Sequence, residues 1–243
     1  MPEELGNILN NLSNLKEEVF GDLKIYSGVY KNINENEIFI TTAWSGWGKT
    51  SAARATTRLC AYTNQEKKID LILFTGVAGS ASINLKQWDI LLAESVVNYD
   101  LDASPIFERF EIPALKQKNL IPSKKLLRIL YQTLLNAKDE GKLQDFGTIS
   151  KGLIGTGDRF ISNLKELENI KQNLPDIKGV EMEGAAFAQV ATQENIDWLI
   201  MRVISDNASN NADLEFNEFL KIYKDKSWNL IKYFLNTLIH EKY

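Results

Sequence analysis

Histidine and cysteine are almost absent from this chain. The single cysteine, Cys60, excludes an intramolecular disulfide and suits a reducing compartment, so the cytoplasm is the expected location. The single histidine, His240, excludes a multi-histidine metal site. It also excludes a Ser-His-Asp triad, unless the chain end folds back. Acid and base work must fall to Asp, Glu or Lys. No apolar run is long enough to cross a bilayer. The opening MPEELGNILN is too acidic and polar for a signal peptide. Positive charge is not in excess: 28 Lys and Arg stand against 32 Asp and Glu, a net −4, which argues against a nucleic-acid surface. No linker, repeat or low-complexity tract divides the 243 residues, so one domain over 1–243 with a full core is expected.

Strand and helix patterns alternate along the chain. Leu5, Ile8, Leu9, Leu12 and Leu15 are spaced as on a helix, which predicts a helix over 2–19. LKIYSGVY (23–30) and IFITTAW (38–44) read as a strand hairpin across an Asn-rich turn. SGWGK (45–49) turns into a helix, TSAARATTRLCAYT. LILFTG (71–76) is a fully apolar strand of the kind buried on both faces, with Val77-Ala78-Gly79-Ser80 as a small-residue loop after it. WDILLAESVV (88–97) is another strand. Residues 98–123 carry three of the five prolines and read as an irregular excursion, a lid or a subunit contact. KKLLRILYQTLLNAKDEGK (124–142) is an amphipathic helix. Strand material and a turn at Gly155–Asp158 precede a helix capped by Ser162. A last helix runs from Phe216 to His240. This alternation predicts a three-layer α/β/α fold around a central mixed, twisted sheet.

The chemistry concentrates in Val180–Ala186 (VEMEGAA) and, about twenty residues on, Arg202–Asp206 (RVISD). Glu181 and Glu183 stand where a helix begins. Asp206 stands just past the end of a buried strand, the edge where open α/β sheets bind ligands. Each has a plainer reading: carboxylates favoured by a helix dipole, and a turn residue. Arg202 interrupts an apolar strand and needs a carboxylate partner, Glu183 or Glu4. Ala43–Thr50 (AWSGWGKT) falls one glycine short of a phosphate-binding loop. A nucleotide triphosphatase is thus an alternative, although Trp44 and Trp47 would crowd the phosphate cradle.

Taken together, SGWGK, TGVAG, TGDRFI, VEMEGAA, RVISD and EFNEF resemble, in order and spacing, the nucleoside phosphorylase/nucleosidase superfamily. Within it they are most similar to the 5′-methylthioadenosine/S-adenosylhomocysteine nucleosidases. The resemblance covers nearly the whole chain. Family members open with a short hydrophobic strand ahead of their acidic segment; this chain is expected to lack it, because MPEEL stands at its start.

The resemblance implies hydrolysis of the N9–C1′ bond of an adenine thionucleoside, without metal or organic cofactor, in a homodimer serving methionine salvage. It implies that Asp206 protonates adenine N7, with Ser205 orienting it, and that Glu4 activates the attacking water. Arg202 belongs to the polar network around that water. Glu183 binds the ribose hydroxyls beside Glu181, and Met182 lies against the sugar. Phe160 stacks on adenine, and the main chain of Ile161 reads its edge. Phe216 walls the 5′-alkylthio pocket. Val77 (where a serine is common), Gly79 and Trp47 (larger than the usual aliphatic residue) complete the expected site. Breaking an N-glycosidic bond develops oxocarbenium character on the sugar. An acid on one side and a water-activating carboxylate on the other are the parts that chemistry needs. The rivals are a phosphate-dependent phosphorylase, for which no arginine cluster is evident, and a non-catalytic nucleoside-binding relative.

Overall fold

Nine strands and five helices follow one another in the computed structural model, which describes residues 7–32, 34–62, 69–208 and 212–240, less the side chains of 212, 214, 239 and 240. The first three strands form an antiparallel meander: β1 (Ser13–Phe20), β2 (Leu23–Lys31) and β3 (Glu37–Ala43). Among the described residues, 7–19, the helix expected over 2–19 is not there. Residues 9–11 make one 3-10 turn, and Ser13–Phe20 is a strand. Gly21, at φ 68°, closes a two-residue turn that pairs Phe20 with Leu23, and this pairing overrides the helical spacing of the leucines. Leu15 and Val19 are exposed on that strand rather than on a core face. Residues 2–6 lie outside the described residues.

A six-stranded mixed sheet forms the centre, in the order β6-β5-β7-β8-β4-β9. Its strands are β4 (Leu71–Ser80), β5 (Ile90–Asn98), β6 (Asn119–Leu120), β7 (Ile149–Thr156), β8 (Ile177–Glu181) and β9 (Asp197–Asp206). It curls until Ile90–Leu92 of β5 pair antiparallel with Met201–Val203 of β9. Four helices cover it: α1 (Lys49–Cys60) and α4 (Gly184–Gln193) on one side, α2 (Lys124–Asp139) and α5 (Ala212–His240) on the other. Alternation along β9 feeds both faces: Leu199, Met201 and Val203 pack towards α2 and α5, while Trp198, Ile200 and Ile204 pack towards α4. This is the expected three-layer arrangement of helices about a mixed sheet.

Several boundaries differ from expectation. The loop expected at 77–80 is strand, because β4 runs parallel to β9 from Leu71 to Gly79 and meets β8 at Gly79 and Ser80. Strand β7 continues through Gly155 and Thr156, so the turn begins only at Gly157. The cap of α3 (Leu164–Asn173) is Asn163, not Ser162: its extended backbone lets the side-chain oxygen accept from the Glu166 amide at 2.9 Å. Among the described residues, no helix is long and apolar enough to cross a membrane.

Candidate active site

A cavity lies where β8 and β9 end, bounded by β4 and by the loop between β3 and α1. It gathers every residue expected in the site except two. Glu4 lies outside the described residues. Ile161 is buried behind the wall, packed with Tyr99, Val180 and Ala208, and does not line the cavity.

Asp206 occupies the end of β9 and is buried. Its Oδ2 accepts from the Ser205 hydroxyl at 2.7 Å, and its Oδ1 accepts from the Ala208 amide at 2.8 Å. Burial raises the pKa of this carboxyl; the two hydrogen bonds oppose the rise, and the charge of Glu215 adds to it. The space for Asp206 exists because its neighbour on β4 is glycine. A Cβ on Gly79 would stand 2.9 Å from Asp206 Oδ1.

Below it sits a fully buried ion pair. Arg202, 2% exposed, bonds through Nη2 to Oε2 of Glu181. Among the described residues the arginine's partner is therefore Glu181, not the expected Glu183; the alternative, Glu4, lies outside the described residues. Side chains on a strand point to alternate faces, and the ends of β8 and β9 bring these two inward together. The Arg202 guanidinium carbon also lies 4.3 Å from the ring centroid of Phe74. Arg202 Nε is buried and has no hydrogen-bond acceptor among the described residues.

Glu181 is satisfied from several sides. It accepts from the Thr156 hydroxyl, from the Gly184 amide at 2.8 Å and from the Glu183 amide at 3.1 Å. The Ala185 amide in turn donates to Thr156 Oγ1 at 2.7 Å. These are the orphan donors at the start of α4, so the plainer reading of a carboxylate at a helix N-terminus also holds for Glu181. Thr156 was not foreseen as part of this network. Its only signal was a threonine closing an apolar strand.

Glu183 differs. Among the described residues its carboxylate has one hydrogen-bond donor, the Gly48 amide, at 2.8 Å to Oε1. Burial raises its pKa most, the neighbouring Glu181 charge raises it further, and Arg202 and the Gly48 amide pull it down. The Gly48 bond also bears on the phosphate-loop reading. At the start of α1 the Gly48 amide is taken by Glu183, and the Lys49 amide by Asp158 at 2.8 Å. Lys49 Nζ is bound by Asp100 and Asn98. The groups that would cradle a phosphate already hold protein acceptors. Of the two arginines of α1, Arg54 bonds Asp22 and Phe20, and Arg58 lies over the Phe20 ring; neither lines the cavity.

Aromatic rings stand on the remaining side. Trp47 meets Phe216 edge to face at 6.0 Å, and Phe216 meets Phe160 in the same manner at 5.7 Å. Val77 and Met182 line the cavity with them. Among the described residues, no group of three or more His, Cys, Asp or Glu side chains has the arrangement to hold a metal ion.

The family model of the phosphorylase superfamily matches residues 1–236. A 5′-methylthioadenosine/S-adenosylhomocysteine nucleosidase of Staphylococcus aureus is 33% identical over 227 residues, 91% of this chain and 90% of the relative. The Neisseria meningitidis nucleosidase of the same name, solved with methylthio-immucillin-A, superposes with a TM-score of 0.84 at 27% identity, covering 97% of this chain and 95% of that one. A Colwellia psychrerythraea nucleosidase solved with adenine gives 0.83 at 27% identity, with 98% and 92% covered. The futalosine hydrolase of Helicobacter pylori gives 0.81 at 28% identity, with 97% and 94% covered.

Proposed function

We propose, from the premise that the chain belongs to the phosphorylase superfamily and is an N-glycosyl hydrolase within it, that it hydrolyses adenine thionucleosides such as 5′-methylthioadenosine and S-adenosylhomocysteine. The N9–C1′ bond breaks with its electron pair going to the purine. Asp206 delivers a proton to N7, so that adenine leaves neutral. Water adds to C1′ and gives up its proton to Glu4. Glu183 holds the ribose hydroxyls with Met182 against the sugar, and Arg202 belongs to the polar surroundings of the water. Phe160 stacks on the base, the main chain of Ile161 reads its edge although its side chain packs behind the cavity wall, and Phe216 walls the 5′ substituent. Val77 and Gly79 flank the reacting end.

Glu181 has a different task. Its lone pairs are committed to Arg202, Thr156 and the start of α4, so it holds these groups in place rather than meeting the sugar.

The observation that carries this reading is Asp206: a carboxyl at the end of a buried strand, its pKa raised by burial, and so able to retain a proton for a departing base. Glu183, with one protein donor, supports it as the group left to bind hydroxyls. The homodimer is part of the same proposal and is supported by exposed Ile106, Phe107 and Ile121 in the irregular stretch after β5.

The test is adenine release from 5′-methylthioadenosine by the purified protein, first in phosphate-free buffer and then with phosphate added. Release without phosphate is expected. Release that requires phosphate would make the protein a phosphorylase. Binding without release in either buffer would make it a nucleoside-binding relative.

A further inference from the structure

We infer that Asp158 is a positioning residue, which clasps the loop carrying Phe160 to the start of α1 and so sets the base-stacking ring in register with the ribose carboxylate, Glu183. The inference rests on the proposed stacking of Phe160 on the purine and adds the residue that fixes its place.

Phe160 is not held by burial. It is 37% exposed and meets the Phe216 ring edge to face at 5.7 Å. A ring so exposed takes its place from its main chain. That main chain belongs to the irregular stretch between β7 and α3. The Gly157 amide donates to the Glu181 carbonyl at 3.1 Å, and the Tyr99 hydroxyl donates to the Arg159 carbonyl at 3.4 Å. Further on, the Ile161 side chain packs in the core. These anchors tie the loop to the ends of β8 and β5. Among the described residues, Asp158 is what ties it to α1.

The clasp has three members. Asp158 Oδ1 accepts from the Lys49 amide at 2.8 Å, and the Asp158 amide donates to Asp100 Oδ2 at 2.9 Å. Asp100 Oδ1 in turn accepts from Lys49 Nζ at 2.5 Å. The start of α1, the segment after β5 and the loop after β7 are thus closed on one another. A carboxylate suits the first amides of a helix, which have no intrahelical acceptor and carry the positive end of the dipole. The charge pair of Lys49 Nζ with Asp158 Oδ2, 3.7 Å apart and half-exposed, adds little to that bond. Close approach is possible because residue 48 is glycine: a Cβ there would stand 3.0 Å from Asp158 Oδ1. The Gly48 amide itself binds Glu183 at 2.8 Å. Two successive amides of one helix end therefore hold two carboxylates, one assigned to the ribose and one two residues from Phe160. Neither Lys49 nor Asp158 lines the cavity, so Asp158 acts through Phe160 and not on the substrate.

The experiment measures adenine affinity by calorimetry for the wild type, Asp158→Ala, Asp158→Asn, Phe160→Ala and the double variant Asp158→Ala with Phe160→Ala. Phe160→Ala is expected to weaken adenine by about tenfold, the worth of a lost base–aromatic stack. Asp158→Ala is expected to weaken it by about threefold to tenfold, and Asp158→Asn, whose side-chain oxygen can still accept from the Lys49 amide, by no more than about twofold. The double variant should bind within about twofold of Phe160→Ala, because the ring through which Asp158 acts is already gone. A purely structural role would make the two losses add. Additive losses, wild-type affinity in Asp158→Ala, or an Asp158→Asn loss as large as that of Asp158→Ala overturns the inference and leaves the base-stacking reading intact. Wild-type affinity in Phe160→Ala, or no adenine binding by the wild type, overturns the base-stacking reading and the inference with it.

Discussion

Replacing Asp206 with Asn separates its role in chemistry from its role in the fold. The exchange keeps shape and volume. Oδ1 can still accept from the Ala208 amide, now 2.8 Å away. Ser205 presently donates to Oδ2 at 2.7 Å and has the Ala78 carbonyl 3.3 Å from the same hydroxyl. Turned to that carbonyl, it could accept from the new amide group. At most one hydrogen bond is weakened, which costs about 1 kcal/mol. Against this, the variant no longer buries a carboxyl whose ionised form is disfavoured there. The sign follows from the raised pKa: the stability that protonation of Asp206 supplies is fully present below the unfolded carboxylate pKa and is lost as pH rises through the folded one. Near neutral pH, Asp206→Asn should therefore unfold in urea within about 1 kcal/mol of the wild type, and its stability should depend less on pH. Turnover should fall by about 10²- to 10⁴-fold, the usual worth of a positioned general acid. Adenine release followed by chromatography, beside urea unfolding across a pH series, measures both. Wild-type turnover in a folded variant would refute the assignment of the acid, and a cost of several kcal/mol would show that Asp206 serves the fold instead.

Arg202→Met leaves Glu181 charged and buried without its cation, and should cost about 3–5 kcal/mol in urea unfolding. Adding Glu181→Gln should recover part of that, and a single-variant cost under about 1 kcal/mol would count against the pair. Gly79→Ala places a methyl group 2.9 Å from Asp206 Oδ1 and 3.2 Å from Ala208 Cβ, so it should lower stability by about 1–3 kcal/mol and displace the acid. Unchanged kcat in the Gly79→Ala variant would show that the carboxyl moves freely. Ser205→Ala removes a bond that favours the charged form of Asp206, so the alkaline limb of kcat/KM should move to higher pH; a move to lower pH would contradict the direction of that bond.

Two kinds of segment were legible before any coordinates. Strand β9 announced itself as an apolar run from Trp198 to Ile204 broken only by Arg202, because both of its faces are covered, and α2 did so through its single apolar stripe. Strand β1 did not. Its leucines fit a helix, and only the turn at Gly21 and pairing with β2 make it a strand. Strand β8 also passed unread, since Ile177–Glu181 is short, holds a glycine, and is defined by β7 on one side and β4 on the other. The loop expected at 77–80 is the end of β4 for the same reason: small residues carry no pattern, and β9 supplies their partners.

For the candidate site, the motifs VEMEGAA and RVISD, with the resemblance they carry, pointed to Glu181, Glu183, Arg202, Ser205 and Asp206, and all five line one cavity. Tertiary structure decided what each one holds. Glu183 or Glu4 was the expected partner of Arg202; the register of β7 and β8 brings Thr156 beside Glu181, and among the described residues the buried guanidinium pairs with Glu181. Glu183 is left to one amide from a loop 135 residues away in sequence. Burial at the end of β9 raises the pKa of Asp206. Sequence determines which groups are present and how the chain alternates. Pairing, burial and pKa depend on neighbours that are distant along the chain, so they arise only when the sheet curls and its strand ends meet.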